Sequence, residues 1–274
     1  MTELFDPVSL TARLTAAERA RESQRTDRLF ADPWAERLAG PDGEELLMEF
    51  QGSLSVENPT VPVRTRFFDE AVLDASAGGL RQIALVAAGM DSRPLRLALP
   101  EETVVYELDR PDLLELKGRL LGEVPGGGPV RLPVGTDLAQ EWTKALLDAG
   151  FRTDLPVCWV AEGLSQYLEE KAVLGLLDRI TSLSAPGSRV LMDFVGRSLL
   201  ESPAMAPMLE LFGSRGMTWK YGDEAPEELF ARRGWRAEVT RLGTAGTRFG
   251  RWPFPDVPRG TPGVPQGYLV SATR

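Results

Sequence analysis

Three acidic residues occupy equivalent places in this sequence. Asp109 follows the run Val104-Val105-Tyr106-Glu107-Leu108, Asp137 follows the run at 130–134, and Glu162 follows Val157-Cys158-Trp159-Val160-Ala161. Each run is short, apolar and rich in β-branched or aromatic residues, which marks a strand. A single acid after a strand is as often a solvated helix cap as a binding group. Acids at the same edge of three consecutive strands point instead to a shared crevice beyond the strands' carboxyl ends, where open α/β sheets bind ligands. A fourth run, Ile83-Ala84-Leu85-Val86, ends in the small turn Ala87-Ala88-Gly89-Met90-Asp91-Ser92. Small residues there keep side chains clear of a ligand.

The chemistry this set can do is bounded by what the chain lacks. It has no histidine, which removes the commonest general base and metal ligand together. One cysteine, Cys158, excludes an internal disulfide and a cysteine-rich metal site, so no metal is expected. The turn at Gly89 has one glycine and an acid where a dinucleotide site needs G-x-G-x-x-G to bring backbone N–H groups to a pyrophosphate. An acidic rim suits a nucleoside that carries a cation and no phosphate. S-adenosylmethionine, a sulfonium, is such a ligand.

The elements that must position these residues alternate after residue 60. Strands are expected at 83–86, 104–108, 130–134, 157–161, 189–194, 235–242 and 268–272, with helices between most of them, the mark of βαβ units. The expected fold is α/β: a seven-stranded, mostly parallel Rossmann-like sheet. The last two strands are joined by a long stretch, 243–267, read as loop without a helix, so the last strand should be antiparallel. Before the sheet come helices at 8–24, from Asp32-Pro33-Trp34 and at 44–50, an N-terminal helical extension over 1–62. The sheet domain then spans 63–274, with a Met- and Pro-rich helical insertion at 196–222 as a cap. Arg248, Phe249, Arg251, Trp252, Phe254 and Arg259 make 243–267 a candidate cover for an anionic aromatic substrate; a bare hairpin loop is the alternative.

A net charge of −9 argues against nucleic acid as a partner, and no apolar run is long enough to span a membrane. The start of the chain has no signal-peptide pattern, so a cytoplasmic protein is expected.

Taken together, Arg64-Thr65-Arg66-Phe67-Phe68-Asp69, Ala88-Gly89-Met90-Asp91-Ser92-Arg93-Pro94-Leu95-Arg96-Leu97, Tyr106-Glu107-Leu108-Asp109-Arg110-Pro111, Thr136-Asp137-Leu138 and Glu162-Gly163-Leu164-Ser165-Gln166-Tyr167-Leu168 are similar to the leucine carboxyl methyltransferase family of class I S-adenosylmethionine-dependent methyltransferases. Within it they resemble the bacterial polyketide O-methyltransferase branch, which includes the tetracenomycin carboxyl methyltransferase. The likeness runs in order over about residues 10–240. It implies that Arg64, and by spacing from Asp32-Pro33 also Arg21, binds the methionine carboxylate. It implies further that Gly89 admits the methionine backbone, Asp109 holds the ribose, and Asp137 with Leu138 frames the adenine. Glu162 would face the amino or sulfonium end, and Tyr167 would line the acceptor side; these two are the catalytic candidates.

A carboxylate acceptor needs no general base, only in-line placement, which fits a chain without imidazole. The expected partner is a small acidic, aromatic acceptor. A phenolic acceptor, or a protein C-terminal carboxylate, remains the alternative within the fold. Two rivals lie outside it. Tyr167 and Lys171 match the Y-x-x-x-K pair of short-chain dehydrogenases, and a non-catalytic ligand-binding protein would keep the same sheet.

Overall fold

A computed structural model describes residues 7–53, 59–124 and 126–274, save the side chains of Val8 and Ser9. The chain begins with three helices, α1 (Pro7–Ser23), α2 (Ala35–Gly52) and α3 (Thr60–Ala77). It continues through β1 (Gln82–Val86), α4 (Arg93–Arg96), β2 (Val104–Asp109), α5 (Pro111–Leu121), β3 (Val130–Gly135), α6 (Thr143–Asp148), β4 (Val157–Ala161), α7 (Glu170–Ser182) and β5 (Arg189–Val195). The insertion holds α8 (Arg197–Leu200) and α9 (Ala206–Ser214), followed by α10 (Pro226–Ala231), β6 (Arg236–Arg241), α11 (Leu242–Arg248) and β7 (Gly267–Thr273).

The strands form one seven-stranded sheet in the order β3-β2-β1-β4-β5-β7-β6. β7 runs antiparallel to both neighbours, and β1 to β5 pair parallel. The apolar runs do not alternate because both faces are covered. On β1, Ala84 and Val86 face a core with Trp142, Trp159 and Leu176, while Ile83 and Leu85 face one with Phe68 and Val72 of α3. β3 carries Pro133, which has no N–H to give a second neighbour, and it lies at the sheet edge. The order reverses between β1 and β4: the chain leaves β1 outward through β2 and β3, then returns to the other side of β1. The turns after β1 and β4 therefore splay apart and open a crevice at their carboxyl ends.

Two expectations need correction. The helix from Asp32-Pro33-Trp34 and the separate helix at 44–50 are one kinked element, α2, bent where Gly40 takes φ +56° ahead of Pro41. The stretch 243–267 also opens with a helix, α11, whose Ala245 packs under the sheet. Glycines at 243 and 246 hid it: both faces of that turn are cleared for the ring of Trp252, which a Cβ on Gly246 would meet at 2.8 Å. α3 already starts at Thr60, so the division drawn after residue 62 falls inside it.

A third apolar cluster joins Leu14 of α1, Leu38 and Phe50 of α2, Leu113 of α5, and Met208 and Phe212 of α9, with Phe50 and Phe212 stacked at 5.5 Å. The N-terminal helices and the insertion thus share one core above the sheet's carboxyl edge. No helix of the described residues is long and apolar enough to cross a membrane.

Cys158 lies on β4 with no exposure, and burial pushes its thiol up to about 12. The thiolate fraction at pH 7 is then about 10⁻⁵, so a disulfide reagent should leave the folded chain untouched and titrate one thiol in denaturant. Rapid labelling of the native protein would contradict the buried placement.

Candidate active site

The turn after β1 is fixed by β2. Ala88 N–H donates to the Leu108 carbonyl at 3.0 Å, and Gly89 N–H donates to Asp109 Oδ2 at 2.7 Å. The other carboxylate oxygen, Oδ1, accepts Arg110 N–H at 2.8 Å. To make this turn Ala87 takes φ +58°, the one positive φ outside glycine among the described residues, at a cost of about 1–3 kcal/mol. Gly89 takes φ +44°, and a Cβ there would come within 2.9 Å of Ala12 Cβ on α1. The helical cap thus rests on the turn. Burial raises the Asp109 carboxyl above its ordinary 3.8, against the two N–H groups and Lys117.

Next to this turn runs a buried chain of ion pairs. Asp32, ahead of α2, accepts from Arg19 Nε at 2.9 Å and Ser92 Oγ at 2.5 Å, with Arg96 Nε at 3.7 Å. Arg96 grips Asp69 of α3 with both terminal nitrogens, at 2.6 and 2.8 Å, and Arg93 Nε donates to the same carboxylate at 2.8 Å. Arg93 pairs through Nη1 with Asp91 and through Nη2 with Glu162 Oε2, the latter at 2.7 Å. Arg64 donates from Nε to Glu162 Oε1 and from Nη1 to Asp193 Oδ2, both at 2.9 Å. Asp193, at the end of β5, finally accepts Gly163 N–H at 2.6 Å.

Burial disfavours the charged forms of Glu162, Asp91, Arg64 and Arg93, and the opposite charges around them overcome it. Glu162 is lowered by Arg93 and Arg64 in spite of burial, and Asp91 is held at about 2 by Arg93, Lys117 and Arg19. The guanidiniums of Arg64 and Arg93 are raised by their carboxylates. Five carboxylates and four guanidiniums alternate along it, and Lys117 adds its positive charge near Asp91.

A cavity of about 370 Å³ opens between the sheet edge and the helical cap. Arg64, Gly89, Asp109, Asp137, Leu138, Glu162 and Tyr167 all line it, so the structure gathers residues that span more than a third of the sequence. Asp137 uses Oδ1 to accept Ala139 N–H at 2.9 Å, which pins the loop after β3. The Tyr167 hydroxyl is raised by burial, although polar contacts with Trp219, Thr11 and Gln166 pull the other way.

Arg21 is not among the lining residues. It is exposed on α1, while Arg19 lines the cavity and also donates to the Met90 carbonyl at 2.6 Å. Residues two apart on a helix do not share a face, so only one of the pair could reach inward. Lys171 is exposed and away from the cavity, so Tyr167 and Lys171 do not form the pair that a dehydrogenase requires.

The stretch 243–267 does not cover the site either, which corrects the expectation for its arginines and aromatics. Arg251 is tied to Glu22 and Asp27, Arg248 to Glu70, and Arg259 to Glu227. These contacts tie the segment to Glu22 of α1, Glu70 of α3 and Glu227 of α10, and none of its arginines or aromatic residues lines the cavity.

The sequence reading missed Asp193, Asp69, Arg93 and Arg96 as parts of the site. Asp193 carried a signal: it is an acid near the carboxyl end of a strand, like the three that were found. Arg93 and Arg96 follow the β1 turn, and nothing in their spacing tells a buried pair from a solvated helix end.

A sheet in this order with β7 reversed, its site at the β1/β4 switch and no phosphate loop, is the class I methyltransferase fold, and the chain is an S-adenosylmethionine-dependent methyltransferase. The family described as leucine carboxyl methyltransferase matches residues 12–181, and the chain belongs to that family. It is 38% identical over 277 residues to a protein of Parafrankia sp. (strain EAN1pec) named for a proposed S-adenosyl-L-methionine-dependent methyltransferase activity, covering 97% of this chain and 87% of that protein. A similarly named protein of Mycolicibacterium gilvum is 35% identical over 313 residues, covering 99% of this chain and 95% of its own length. Among solved structures, a DUF574 family protein from Streptomyces avermitilis superimposes with a TM-score of 0.62 at 17% identity, covering 96% of this chain and 97% of that one. The likeness in that case is one of fold.

The lowered carboxyls set the acid stability. Glu162 and Asp91 bind protons less readily folded than unfolded, so their contribution is complete above the unfolded values of 4.5 and 3.8 and is lost as pH falls towards the folded ones. Asp109, shifted upward, gives a smaller change of opposite sign. The urea midpoint should hold from pH 7 to about 5 and fall from about 4.5 to about 2, with Asp91 alone accounting for about 2 kcal/mol. A midpoint that stays level down to pH 3 would show that these pairs contribute nothing.

Proposed function

We propose that this methyltransferase transfers the methyl group to an oxygen, and that the acceptor is the carboxylate of a small, largely apolar and aromatic acid. The observation that carries the reading is the state of the carboxylates. Every carboxylate that lines the cavity, among the described residues, is already paired with a guanidinium or a backbone N–H. Glu162 has both oxygens committed to arginines and is lowered, so it is a poor base. The Tyr167 phenol holds its proton more tightly than usual. An acceptor that is already ionised at neutral pH is the one such a site can use. A phenol would need a base that these residues do not offer.

The residues fit the cofactor. Asp109 spends one lone pair on each oxygen for Gly89 and Arg110 N–H, which leaves acceptor sites for two vicinal hydroxyls. Arg64 commits Nε and Nη1, and Nη2 remains for the carboxylate of the methionine part. When bound, S-adenosylmethionine supplies an electrophilic methyl group and a positive charge that offsets the acceptor's carboxylate.

The chain's own part is then placement and exclusion of water. Glu162 holds Arg64 and Arg93 in fixed orientations rather than moving a proton, and Tyr167 lines the acceptor side with its hydroxyl protonated. We assign α1, α2 and the insertion at 196–222 to a cap on the sheet domain, supported by the apolar cluster that α1, α2 and α9 share above the cavity. Positioning in such a closed site can be worth an effective molarity of about 10⁵ M or more.

Two measurements test this. Calorimetry should show S-adenosylmethionine binding that weakens about tenfold per pH unit once Asp109 is protonated, in a window above its ordinary 3.8, because only the ionised carboxylate accepts both hydroxyls. Asp109→Asn should bind about 10- to 100-fold more weakly and lose that dependence. Mass spectrometry over a panel of aromatic acids and matched phenols should find a product heavier by one methylene from an acid. Turnover of phenols alone would overturn the carboxylate assignment and leave the cofactor reading intact.

A further inference from the structure

One buried cation has no part in the reaction as described so far. Lys117 of α5 is 1% exposed, and its Nζ donates to Glu107 Oε1 of β2 at 2.9 Å; Glu107 is equally buried. Glu107 Oε2 accepts from Arg131 Nη2 of β3 at 2.9 Å, so one carboxylate serves two cations. None of the three lines the cavity. They lie just behind its wall. Glu107 and Asp109 are two apart on β2 and so share a face of the strand. Leu113, which lines the cavity, and Lys117 are four apart on α5, which puts the lysine one turn below a lining side chain. Leu113 and Leu121, on that same face, belong to the apolar cluster that includes Met90 of the β1 turn.

Stability does not explain a lysine in this place. A fully buried ion pair gains little over apolar side chains of equal volume, because desolvation cancels most of the attraction. Sharing Glu107 with Arg131 also leaves the ammonium charge free to act on other carboxylates. Against burial, Arg93 and then Lys117 hold the Asp91 carboxyl low. Burial raises the Asp109 carboxyl, and Lys117 works against that rise together with the Gly89 and Arg110 N–H groups. The other charged groups around Asp109 are Arg110 beside it, Asp91 on the β1 turn, Arg19 on α1 and Asp137 on the loop after β3, all of which line the cavity with it. The Arg110 guanidinium also favours the ionised form, but it is paired with Asp112 and reaches solvent, where its field is screened.

We propose that Lys117 is a positioning residue for cofactor binding: from behind the cavity wall its ammonium fixes the carboxylates of Asp91 and Asp109, and so keeps Asp109 ready to accept both ribose hydroxyls. Lys117 does not touch the ligand. It acts through Asp109, whose oxygens also hold the Gly89 and Arg110 N–H groups, and so links the charge of the ribose site to the shape of the β1 turn. This inference rests on the placing of the ribose at Asp109.

The test is S-adenosylmethionine calorimetry on the full chain, from about pH 8 down to about pH 4.5. Lys117→Met and Lys117→Gln remove the charge, and Arg131 still pairs with Glu107, so no buried carboxylate is stranded. Loss of a neighbouring cation favours the protonated carboxyl, so affinity should begin to fall at a higher pH in both variants than in the wild type. The deficit should grow from less than about threefold at about pH 8 to about tenfold where Asp109 takes up its proton. Lys117→Arg keeps the charge and should restore the wild-type profile. Arg131→Leu removes the other cation on Glu107 and should leave the profile in place. A wild-type profile in either neutral variant overturns the inference. So does an equal displacement in Arg131→Leu, which would mark a general loosening around Glu107. If Asp109→Asn binds S-adenosylmethionine as tightly as the wild type, the ribose assignment fails first and this inference falls with it. A weakened Asp109→Asn beside unmoved Lys117 variants overturns this inference alone.

Discussion

The structure depends on an alternating line of buried charges: Asp32, Arg96, Asp69, Arg93, Glu162, Arg64 and Asp193. Each member comes from a different place in the chain or faces a partner that does. The loop before α2, the helix α3, the turn into α4, and the ends of β4 and β5 are all tied by it. Removing one partner from such a line strands a charge away from water, at a cost of about 3–5 kcal/mol. The line therefore fixes the distance between helical cap and sheet edge more sharply than apolar packing does, because hydrophobic contact has no direction and a forked guanidinium has.

This arrangement also decides what kind of chemistry the cavity can host. A site full of carboxylates looks at first like one rich in general bases. Pairing converts them into rigid supports whose affinity for protons is reduced, as Glu162 and Asp91 show. Asp109 differs: it is raised by burial and accepts from backbone N–H groups. What remains for these groups to supply is geometry.

The closed edge of the cavity has a different character. α1 sits on Gly89 with no room for a side chain, and the same helices pack on Met208 and Phe212 of the insertion. Cap, turn and insertion are thus in mutual contact, so this side of the cavity is enclosed by residues from the N-terminal helices and the insertion.

The sequence by itself determined the sheet, because runs such as Ile83-Ala84-Leu85-Val86 must be covered on both faces, and that requires helices between parallel strands. It also determined most of the candidate site. An acid just beyond a strand has one crevice to point into, and Gly89, Asp109, Asp137 and Glu162 duly meet around it. Only the tertiary structure decided which arginines turn inward. Arg19 and Arg21 lie two residues apart, and the side of α1 that packs on the β1 turn is chosen by the contacts of Ala12 with Gly89 and of Arg19 with Met90, both far away in sequence. Only the fold revealed that Glu162 is pinned by two guanidiniums and that Arg248, Arg251 and Arg259 are paired with acids away from the cavity. Charge pairing over such separations leaves no periodicity in a chain, because the partners are brought together by the sheet's topology and not by their spacing.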